Sequence, residues 1–338
     1  MGSVSVSSEA EWLSIREANI GGSDVASLFY RWRYPDGTEA VHHLFDRPPE
    51  GSQILECLSS FKTGYRLWQE KAGRLQPENL DNVERVQAGV FLEPALTAWA
   101  NKKWEWKLRN VHRYLTHPII KGWGASLDCE VHEPGMPPVE FKNVDGWIFR
   151  DEWVVMEGEI LMPPLKYELQ LQHQIGAAKA DHGWVVACVG GNQLMRGRID
   201  RHEGTQEKIA NAVSAFWASI ANNVEPVWLA DYEAVAEVYS HGSADLATDL
   251  TGDEELSVLC NSYLTQKKEL GELEMIVDNI KAQIGARIGE ATKVKAAGFR
   301  LGWPVIDRPE KEIPARIQKA LVYRGALNVR PNKEESGV

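Results

Sequence analysis

Cysteine is scarce in this sequence, and its spacing excludes several kinds of site. The four cysteines, at positions 57, 129, 188 and 260, are widely separated and form no CxxC pair. Zinc sites and iron–sulfur clusters usually draw on closely spaced thiolates, so neither is expected here. Scattered, unpaired cysteines are typical of proteins in the reducing cytoplasm.

Long apolar runs are also missing. No stretch of about 18 apolar residues occurs, so no membrane span is predicted. The opening residues, MGSVSVSSEAEW, have neither the basic nor the apolar region of a secretion signal. With 338 residues, 43% of them apolar and 25% charged, the composition indicates a globular protein with two domains, or one α/β domain and an appendage.

Positive charge is in deficit, since the net charge is −11, but the charges are unevenly distributed. Between residues 102 and 121, six lysines and arginines accompany one glutamate. Between residues 225 and 290, fourteen acids accompany four lysines and arginines. The acidity is therefore concentrated in a segment that need not touch DNA, and nucleic-acid binding is not excluded.

The most informative stretch is WGASLDCEVHEPGMPPVEFKNV, residues 123–144. It predicts two strands, GASLDCEV and VEFKNV, joined by a turn rich in proline. Asp128 lies in the first strand, whereas Glu140 and Lys142 lie in the second and point to one face. If the strands pair, two carboxylates and an ammonium converge. With the Phe141 carbonyl they form a donor set that suits Mg²⁺, and a lysine there can orient a water or neutralise charge on a phosphate.

Solvated charges on a surface hairpin are the ordinary alternative. The apolar neighbours Leu127, Val139 and Phe141 favour the functional interpretation, because buried charges need partners or a metal. Glu93 lies within an apolar run of a helix predicted over 84–107, and for the same reason it is a candidate third carboxylate.

Near the amino terminus, a predicted helix capped by Ser8 ends at two glycines, and Ser23-Asp24 can start the next helix. Arg16 and Ser23 would then flank a helix N-terminus whose free N–H groups suit an anion. Ordinary capping together with a surface arginine is the alternative.

Residues 30–40 are predicted to form a turn-rich loop with interleaved arginine and aromatic residues. Arg31, Trp32 and Arg33 are candidate DNA contacts, since such side chains can stack on bases or bind phosphates. Aromatic side chains packed into the core are the alternative.

The remaining elements complete one predicted α/β domain over residues 1–223. A helix over 163–180 places Tyr167, Gln170 and Gln174 on one face. Two paired strands, HGWVVACVGG and NQLMRGRID, and the helix EGTQEKIANAVSAFWASIANN follow it.

Beyond residue 223 the sequence changes character. Residues 224–254 are predicted as an acidic connection, 255–292 as a helix or helical hairpin, and 293–338 as a basic tail with short strands. Apolar residues recur at 3–4 spacing from Leu256 to Ile284, which indicates a seam that needs a partner. That partner is the chain's own core, a neighbouring subunit or another protein.

The chain resembles the PD-(D/E)xK nuclease superfamily, because it contains Glu93, Asp128 and the ExK run at 140–142 in that order. The chain is most similar to the phage lambda exonuclease branch, the YqaJ-like viral recombinases, over roughly residues 8–220. Arg16 followed by IGGSDVA, then FLEPAL, SLDCE, EFKNV and YELQLQHQ, resemble the motifs of this branch in their order.

The resemblance implies a restriction-endonuclease-like α/β core, with a central mixed sheet flanked by helices, which is followed here by a C-terminal helical arm. It implies a Mg²⁺-dependent exonuclease, with Mn²⁺ as the alternative ion and two ions in the site. Such an enzyme degrades the 5′ strand of linear duplex DNA and leaves 3′ overhangs for a single-strand annealing protein. It also implies a homotrimer, in the cytoplasm of a bacterial host if a phage or prophage encodes the chain.

Residue roles follow from the same resemblance. Asp128, Glu140 and the Phe141 carbonyl would hold metal, Glu93 would assist there, and Lys142 would activate or orient the water.

Four further residues have implied roles. Gln170 would support the active site. The terminal 5′-phosphate would be received by Arg16, Ser23 and Ser126.

Two other functions are compatible with these motifs. A restriction-type endonuclease shares the fold, although an end-binding pair at Arg16 and Ser23 argues against it. A non-catalytic DNA-end-binding recombination protein is the other, although the intact D…ExK pattern argues against an inactive site.

Overall fold

The computed structural model describes residues 2–5, 8–80, 82–111, 113–241 and 247–306. The chain divides into two compact units, Met1–Val238 and Tyr239–Val338. Most of the predicted basic tail, residues 307–338, lies outside the described residues. Among the described helices, none is both long and apolar enough to cross a membrane.

The first unit contains, in chain order, β1 (Gly2–Ser5), α1 (Glu9–Glu17), β2 (Phe29–Arg33), β3 (Glu39–His43), β4 (Gln53–Cys57), α2 (Gly64–Lys71), α3 (Glu84–Trp104), β5 (Leu108–Asn110), β6 (Arg113–Thr116), β7 (Gly124–Ala125), β8 (Cys129–Val131), β9 (Pro138–Val144), α4 (Gly146–Glu152), β10 (Val154–Met156), β11 (Glu159–Met162), α5 (Leu165–Ala178), β12 (His182–Val189), β13 (Gln193–Asp200), α6 (Glu203–Ala221) and α7 (Tyr232–Val238). The second unit contains α8 (Glu254–Ile288), β14 (Lys293–Ala296) and β15 (Phe299–Gly302).

A five-stranded sheet organises the first unit. Its strand order is β13-β12-β9-β8-β5, with β9 and β12 parallel and the other neighbours antiparallel. Alternate residues of β12 serve opposite faces, as the strand repeat requires. Val185 and Ala187 pack with α5, whereas Val186 and Cys188 pack with α3. The expected α/β core, a mixed sheet flanked by helices, is confirmed.

The predicted loop over residues 30–40 is instead a hairpin. β2 pairs with β3 and with β4 in an antiparallel sheet. Trp32 is 6% exposed, and its ring stacks on Trp228 at 5.5 Å. An aromatic ring in this position stabilises a strand by packing rather than by meeting solvent.

The first unit continues beyond the predicted boundary at residue 223. Ala234 of α7 packs with Tyr65 and Leu75, and Glu225 accepts hydrogen bonds from Gln69 (2.8 Å) and Arg74 (2.7 Å). Residues 224–238 therefore belong to this unit, because burial and ion pairing attach them to α2 and the turn after it.

The second unit contains one long helix, not a helical hairpin. α8 spans 35 residues, and Asp253 caps it by accepting from the Leu256 N–H at 2.8 Å. None of its residues is buried. β14 and β15 pair antiparallel, in agreement with the short strands predicted after residue 293.

Gly176 is required for close packing of α5. A Cβ built there would lie 2.5 Å from Trp123 and 2.5 Å from Gln206. We expect Gly176→Ala to lower the free energy of unfolding by about 1–3 kcal/mol, because core side chains would have to move.

Gly89 provides the matched control in α3 of the same unit, since nothing lies within 4 Å of its built Cβ. Gly89→Ala should raise stability by about 0.5–1 kcal/mol through helix propensity. Urea unfolding measures both variants, and equal effects would contradict the packing role of Gly176.

Candidate active site

The carboxylate of Glu140 is at the centre of the candidate site. It lies on β9, is 4% exposed, and both of its oxygens accept hydrogen bonds. Oε1 accepts from Lys142 Nζ and from Gln170 Nε2, each at 2.6 Å. Oε2 accepts from Gln174 Nε2, also at 2.6 Å. The prediction that Glu140 and Lys142 share one face is confirmed.

Helix α5 presents one face to these charges. Gln170 Oε1 also accepts from Lys142 Nζ at 2.9 Å, so this amide bridges the ammonium and Glu140. The Lys142 ammonium lies 4.8 Å from the centre of the Tyr167 ring. The predicted common face of Tyr167, Gln170 and Gln174 is therefore the face that meets the site. The role of Gln174 was missed, although its helical spacing from Gln170 was the signal.

Asp128 lies in a bend of the backbone and not in the strand that was predicted. The expected strand 124–131 is broken into β7 and β8, which belong to different sheets, and Asp128 lies in the bend between them. Its Oδ2 accepts the Phe141 N–H at 2.9 Å. Because the N–H and C=O of one strand residue point to the same side, the Phe141 carbonyl faces the Asp128 side of β9.

Burial and the charge of Glu140 disfavour the ionisation of two other carboxyl groups in the site. Burial, and then the charge of Glu140, raise the pKa of Asp128 well above its ordinary value. Burial, and then Glu140, also raise the pKa of Glu93, so α3 brings this third carboxylate within electrostatic range. A cation among these groups would relieve the repulsion.

Lys142 carries the compensating positive charge. Desolvation lowers the pKa of Lys142, but Glu140 and Asp128 raise it by more, and the net direction is upward. The side chain is therefore an ammonium at neutral pH.

The donor set fits a hard divalent cation. A carboxylate offers about four lone-pair positions, and Glu140 uses three of them. Gln174 Oε1 is buried without a hydrogen-bond partner. Within the described ranges no three His, Cys, Asp or Glu side chains are close enough to form a metal cluster. Asp128 and Glu140 would hold an ion together with the Phe141 carbonyl and waters, as suits Mg²⁺.

Trp12 connects two of the predicted phosphate-binding residues. Its indole Nε1 donates to Ser126 Oγ at 3.1 Å, and the Arg16 guanidinium carbon lies 4.5 Å from the ring centre. Ser126 itself is exposed. The structure thus brings Arg16 and Ser126 to one indole, which sequence reasoning did not identify.

Ser23 is exposed in the turn that follows the two glycines, beside helix α5. A Cβ on Gly22 would lie 3.4 Å from Gln170 Cγ and 3.6 Å from Gln174 Cγ. The predicted helix N-terminus with free N–H groups is wrong, however. Only a four-residue 3₁₀ helix, Val25–Leu28, follows, and the Asp24 and Val25 N–H groups already donate to the Gly21 carbonyl.

Two buried basic side chains that sequence reasoning missed hold this N-terminal segment. Lys71 Nζ donates to the carbonyls of Arg16 (2.6 Å) and Asn19 (2.8 Å) and lies 3.8 Å from Asp24. Burial lowers the pKa of Lys71. Neither its position nor its neighbours in the sequence signals this role.

His173 of α5 is the second of these side chains. It is fully buried, and its Nε2 lies 3.0 Å from the Ile20 carbonyl and 2.9 Å from the Gly124 carbonyl. Both partners are acceptors, so Nε2 carries a proton. Burial lowers the pKa of His173 to about 4, and the ring is neutral at physiological pH. His173 therefore joins the N-terminal segment to the strand that leads to Asp128.

The candidate DNA contacts on β2 have different surroundings. Trp32 is a core residue, so its predicted role in base stacking is wrong. Arg31 pairs with Glu56 at 3.1 Å, and Arg33 pairs with Glu39 at 2.9 Å. Both arginines remain partly exposed, and their contact with DNA stays a prediction.

The basic stretch over residues 102–121 is partly neutralised. Glu130 is 1% exposed, and it forms ion pairs with Arg109 and, at 2.8 Å, with Arg113. Lys103 Nζ donates to the Leu194 carbonyl at 2.6 Å. Much of this charge therefore stabilises the sheet, because a buried glutamate needs compensation.

Solved structures with similarity to this chain include an alkaline exonuclease, LHK-Exo from Laribacter hongkongensis. The TM-score is 0.45 and the identity 20%, over 65% of this chain and 96% of that chain. LHK-Exo in complex with dAMP has a TM-score of 0.45 and 19% identity, over 64% of this chain and 95% of that chain. No curated protein sequence matches this chain.

Residues 49–181 match the model of a protein family described as the YqaJ-like viral recombinase domain. The matched segment includes Glu93, Asp128, Glu140 and Lys142, and it excludes the N-terminal motif around Arg16. Over this segment, the family resemblance inferred from the motifs is confirmed.

Proposed function

We propose that this protein is a metal-dependent exonuclease that degrades the 5′ strand of linear duplex DNA and leaves 3′ overhangs for recombination. The observation that carries the proposal is the arrangement of Asp128, Glu140 and Lys142. The buried carboxylate of Glu140 disfavours ionisation of the half-buried Asp128, and the Lys142 ammonium lies beside Glu140, within the segment that matches the YqaJ-like model. Phosphodiester hydrolysis needs carboxylates for metal and a cation for developing phosphate charge.

The proposed ion is Mg²⁺, with Mn²⁺ as the alternative and two ions in the site. When bound, it would supply Lewis acidity toward a phosphate oxygen and lower the pKa of a bound water. Asp128, Glu140 and the Phe141 carbonyl are its proposed ligands. Glu93, which lies on α3, assists through its negative charge.

Lys142 is proposed to act as a cation and hydrogen-bond donor. Its raised pKa leaves no free amine to serve as a base at neutral pH. The ammonium can orient the attacking water and stabilise charge on the phosphate oxygens. Gln170 bridges Lys142 and Glu140 and so holds the ammonium in position.

The proposed reaction makes the shortened DNA strand a new substrate for the end pocket, the proposed binding site for the terminal 5′-phosphate. Water adds to phosphorus and the bond to the 3′ oxygen breaks, so the shortened strand again carries a 5′-phosphate. Arg16, Ser23 and Ser126 are proposed to bind that phosphate. The contact of both Arg16 and Ser126 with Trp12 supports a shared pocket, because the indole restrains both side chains.

The proposed partners follow from this reaction. The substrate is a linear duplex end, for which Arg31 and Arg33 are candidate contacts, and the 3′ overhang would be taken by a single-strand annealing protein. A homotrimer acting in the cytoplasm of a bacterial host is proposed by resemblance to the branch.

A restriction-type endonuclease is the second candidate, because the same carboxylates and lysine would serve it. Closed-circular plasmid and the same plasmid linearised distinguish the two activities. Degradation of only the linear form supports the exonuclease, whereas nicking or linearisation of the circle supports the endonuclease. End binding without hydrolysis in either form would indicate a non-catalytic recombination protein.

Asp128→Asn tests the metal site directly. The variant keeps an acceptor for the Phe141 N–H and removes one negative charge. We expect Mg²⁺-dependent hydrolysis of linear duplex to fall at least about a hundredfold, since a ligand charge is lost. Asp145→Asn is the matched control, because that aspartate caps α4 by accepting from the Trp147 N–H at 2.8 Å. Wild-type turnover by Asp128→Asn would contradict the assignment.

The raised pKa of Asp128 predicts a pH-dependent stability. The folded protein holds this proton more tightly than the unfolded chain, so its contribution to stability is lost as pH rises above the ordinary value of 3.8. In EDTA, the Tm of Asp128→Asn relative to wild type should therefore increase between about pH 4 and about pH 8.

At the upper end of this pH range, Mg²⁺ should raise the Tm of the wild type more than that of Asp128→Asn. Only the wild type has a carboxylate at position 128 whose negative charge the bound ion can compensate. Thermal unfolding at several pH values measures both effects. A Tm difference that stays constant across the range would contradict the raised pKa of Asp128.

Arg16→Ala tests the end pocket. We expect the rate preference for 5′-phosphorylated over 5′-hydroxyl ends to fall by about tenfold to a hundredfold, because a charge-assisted phosphate contact is lost. Arg198→Ala, which removes an exposed arginine paired with Asp200 at 2.8 Å, should leave the preference unchanged. An undiminished preference in Arg16→Ala would place the pocket elsewhere.

A further inference from the structure

Helix α8 has no stabilising core of its own. Its 35 residues extend about 50 Å, none of them is buried, and Gly271 and Gly285 lie in its interior. Interior glycines weaken a helix, and most helices in proteins depend on packing of an apolar face. A helix of this length and composition therefore calls for a partner along its length.

Eight apolar residues of α8 fall on the a and d positions of a seven-residue repeat, which Gln266 and Arg287 interrupt. Written as a heptad, the a positions are Leu256, Tyr263, Leu270, Val277 and Ile284, and the d positions are Leu259, Gln266, Leu273, Ile280 and Arg287. The eight apolar members of this seam are 37–60% exposed. A repeat of 3.5 residues sustained over five heptads indicates packing against another long helix rather than against a globular core.

We propose that α8 pairs with α8 of a second copy of this chain as an antiparallel two-stranded coiled coil, a pairing that joins two of the proposed trimers where the trimer forms. In that register Leu270 lies opposite the partner's Leu273, and Tyr263 lies opposite the partner's Ile280. The two-fold axis passes near the middle of the helix, so nearly the whole seam is covered in both copies.

Charge selects the antiparallel arrangement. A parallel pair would place Arg287 against the partner's Arg287 in the seam and Glu269 beside the partner's Glu274. In the antiparallel pair, Arg287 lies at the acidic first turn of the other helix, where Asp253, Glu254 and Glu255 are found. Lys267 then faces the partner's Glu274, twice by symmetry. This self-complementarity favours a second copy over an unrelated protein.

The first test is the mass of the full-length protein in solution. Leu270→Glu/Leu273→Glu places four charges in the proposed seam of a pair and keeps good helix formers in α8. Sedimentation equilibrium should give half the wild-type mass for this variant. Met275→Glu is the matched control, because Met275 is 67% exposed and lies outside the seam. It should keep the wild-type mass.

Circular dichroism accompanies these measurements to confirm that the variants remain helical. Equal masses for wild type and the seam variant would overturn the proposal and would indicate that the chain's own residues or a different protein cover the seam.

The second test fixes the direction of pairing and needs no charge in the seam. In a Cys260→Ser background, Tyr263→Cys and Ile280→Cys are made singly and together. A disulfide requires Cα atoms less than about 7 Å apart. Oxidation should link two chains only in the double variant. Linked dimers of either single variant would indicate a parallel pair, and no linkage in any variant would exclude the pairing, so both results overturn the proposal.

Discussion

The buried carboxylate of Glu140 is the constraint on which the candidate site depends. A charge that is 4% exposed would be costly without partners. Lys142 comes from the same strand, and Gln170 and Gln174 come from one face of α5. Because these two glutamines are four residues apart, their bonds to one carboxylate fix both the rotation and the position of the helix against β9.

Other residues of α5 hold the N-terminal segment in place. His173 holds the backbone at Ile20 and Gly124, and Gly176 allows Trp123 to pack closely against α5. The turn at Gly22 thereby rests against Gln170 and Gln174. The proposed phosphate pocket and the proposed metal ligands are thus positioned by side chains of a single helix.

The two units of the chain differ in how far their apolar residues are buried. In the first unit, strand β12 is covered on both faces and the loop-like segment with Trp32 becomes a packed strand. In α8, an equally regular apolar pattern stays exposed along the whole helix. The same hydrophobic effect therefore accounts for the core of the first unit and for the interface that we propose on α8.

The sequence alone determined the features that depend on local periodicity. Glu140 and Lys142 share a face because strand side chains alternate, and Tyr167, Gln170 and Gln174 share one because a helix turns every 3.6 residues. The apolar seam of α8 follows from the 3–4 spacing in the same way, whereas the sequence left open whether one helix or a helical hairpin carries it. Several motifs in order, including Glu93, Asp128 and the ExK run, were sufficient for the resemblance that the match over residues 49–181 supports.

Only the tertiary structure decided which distant groups meet. It placed Trp12 between Arg16 and Ser126, Lys71 beneath the end of α1, and Asp128 in a bend instead of a strand. It also turned Trp32 into a core residue, because whether an aromatic ring meets solvent or core depends on elements far away in the chain. The physical reason is that local geometry sets the direction of a side chain, whereas the packing of the whole domain sets what that side chain finds there.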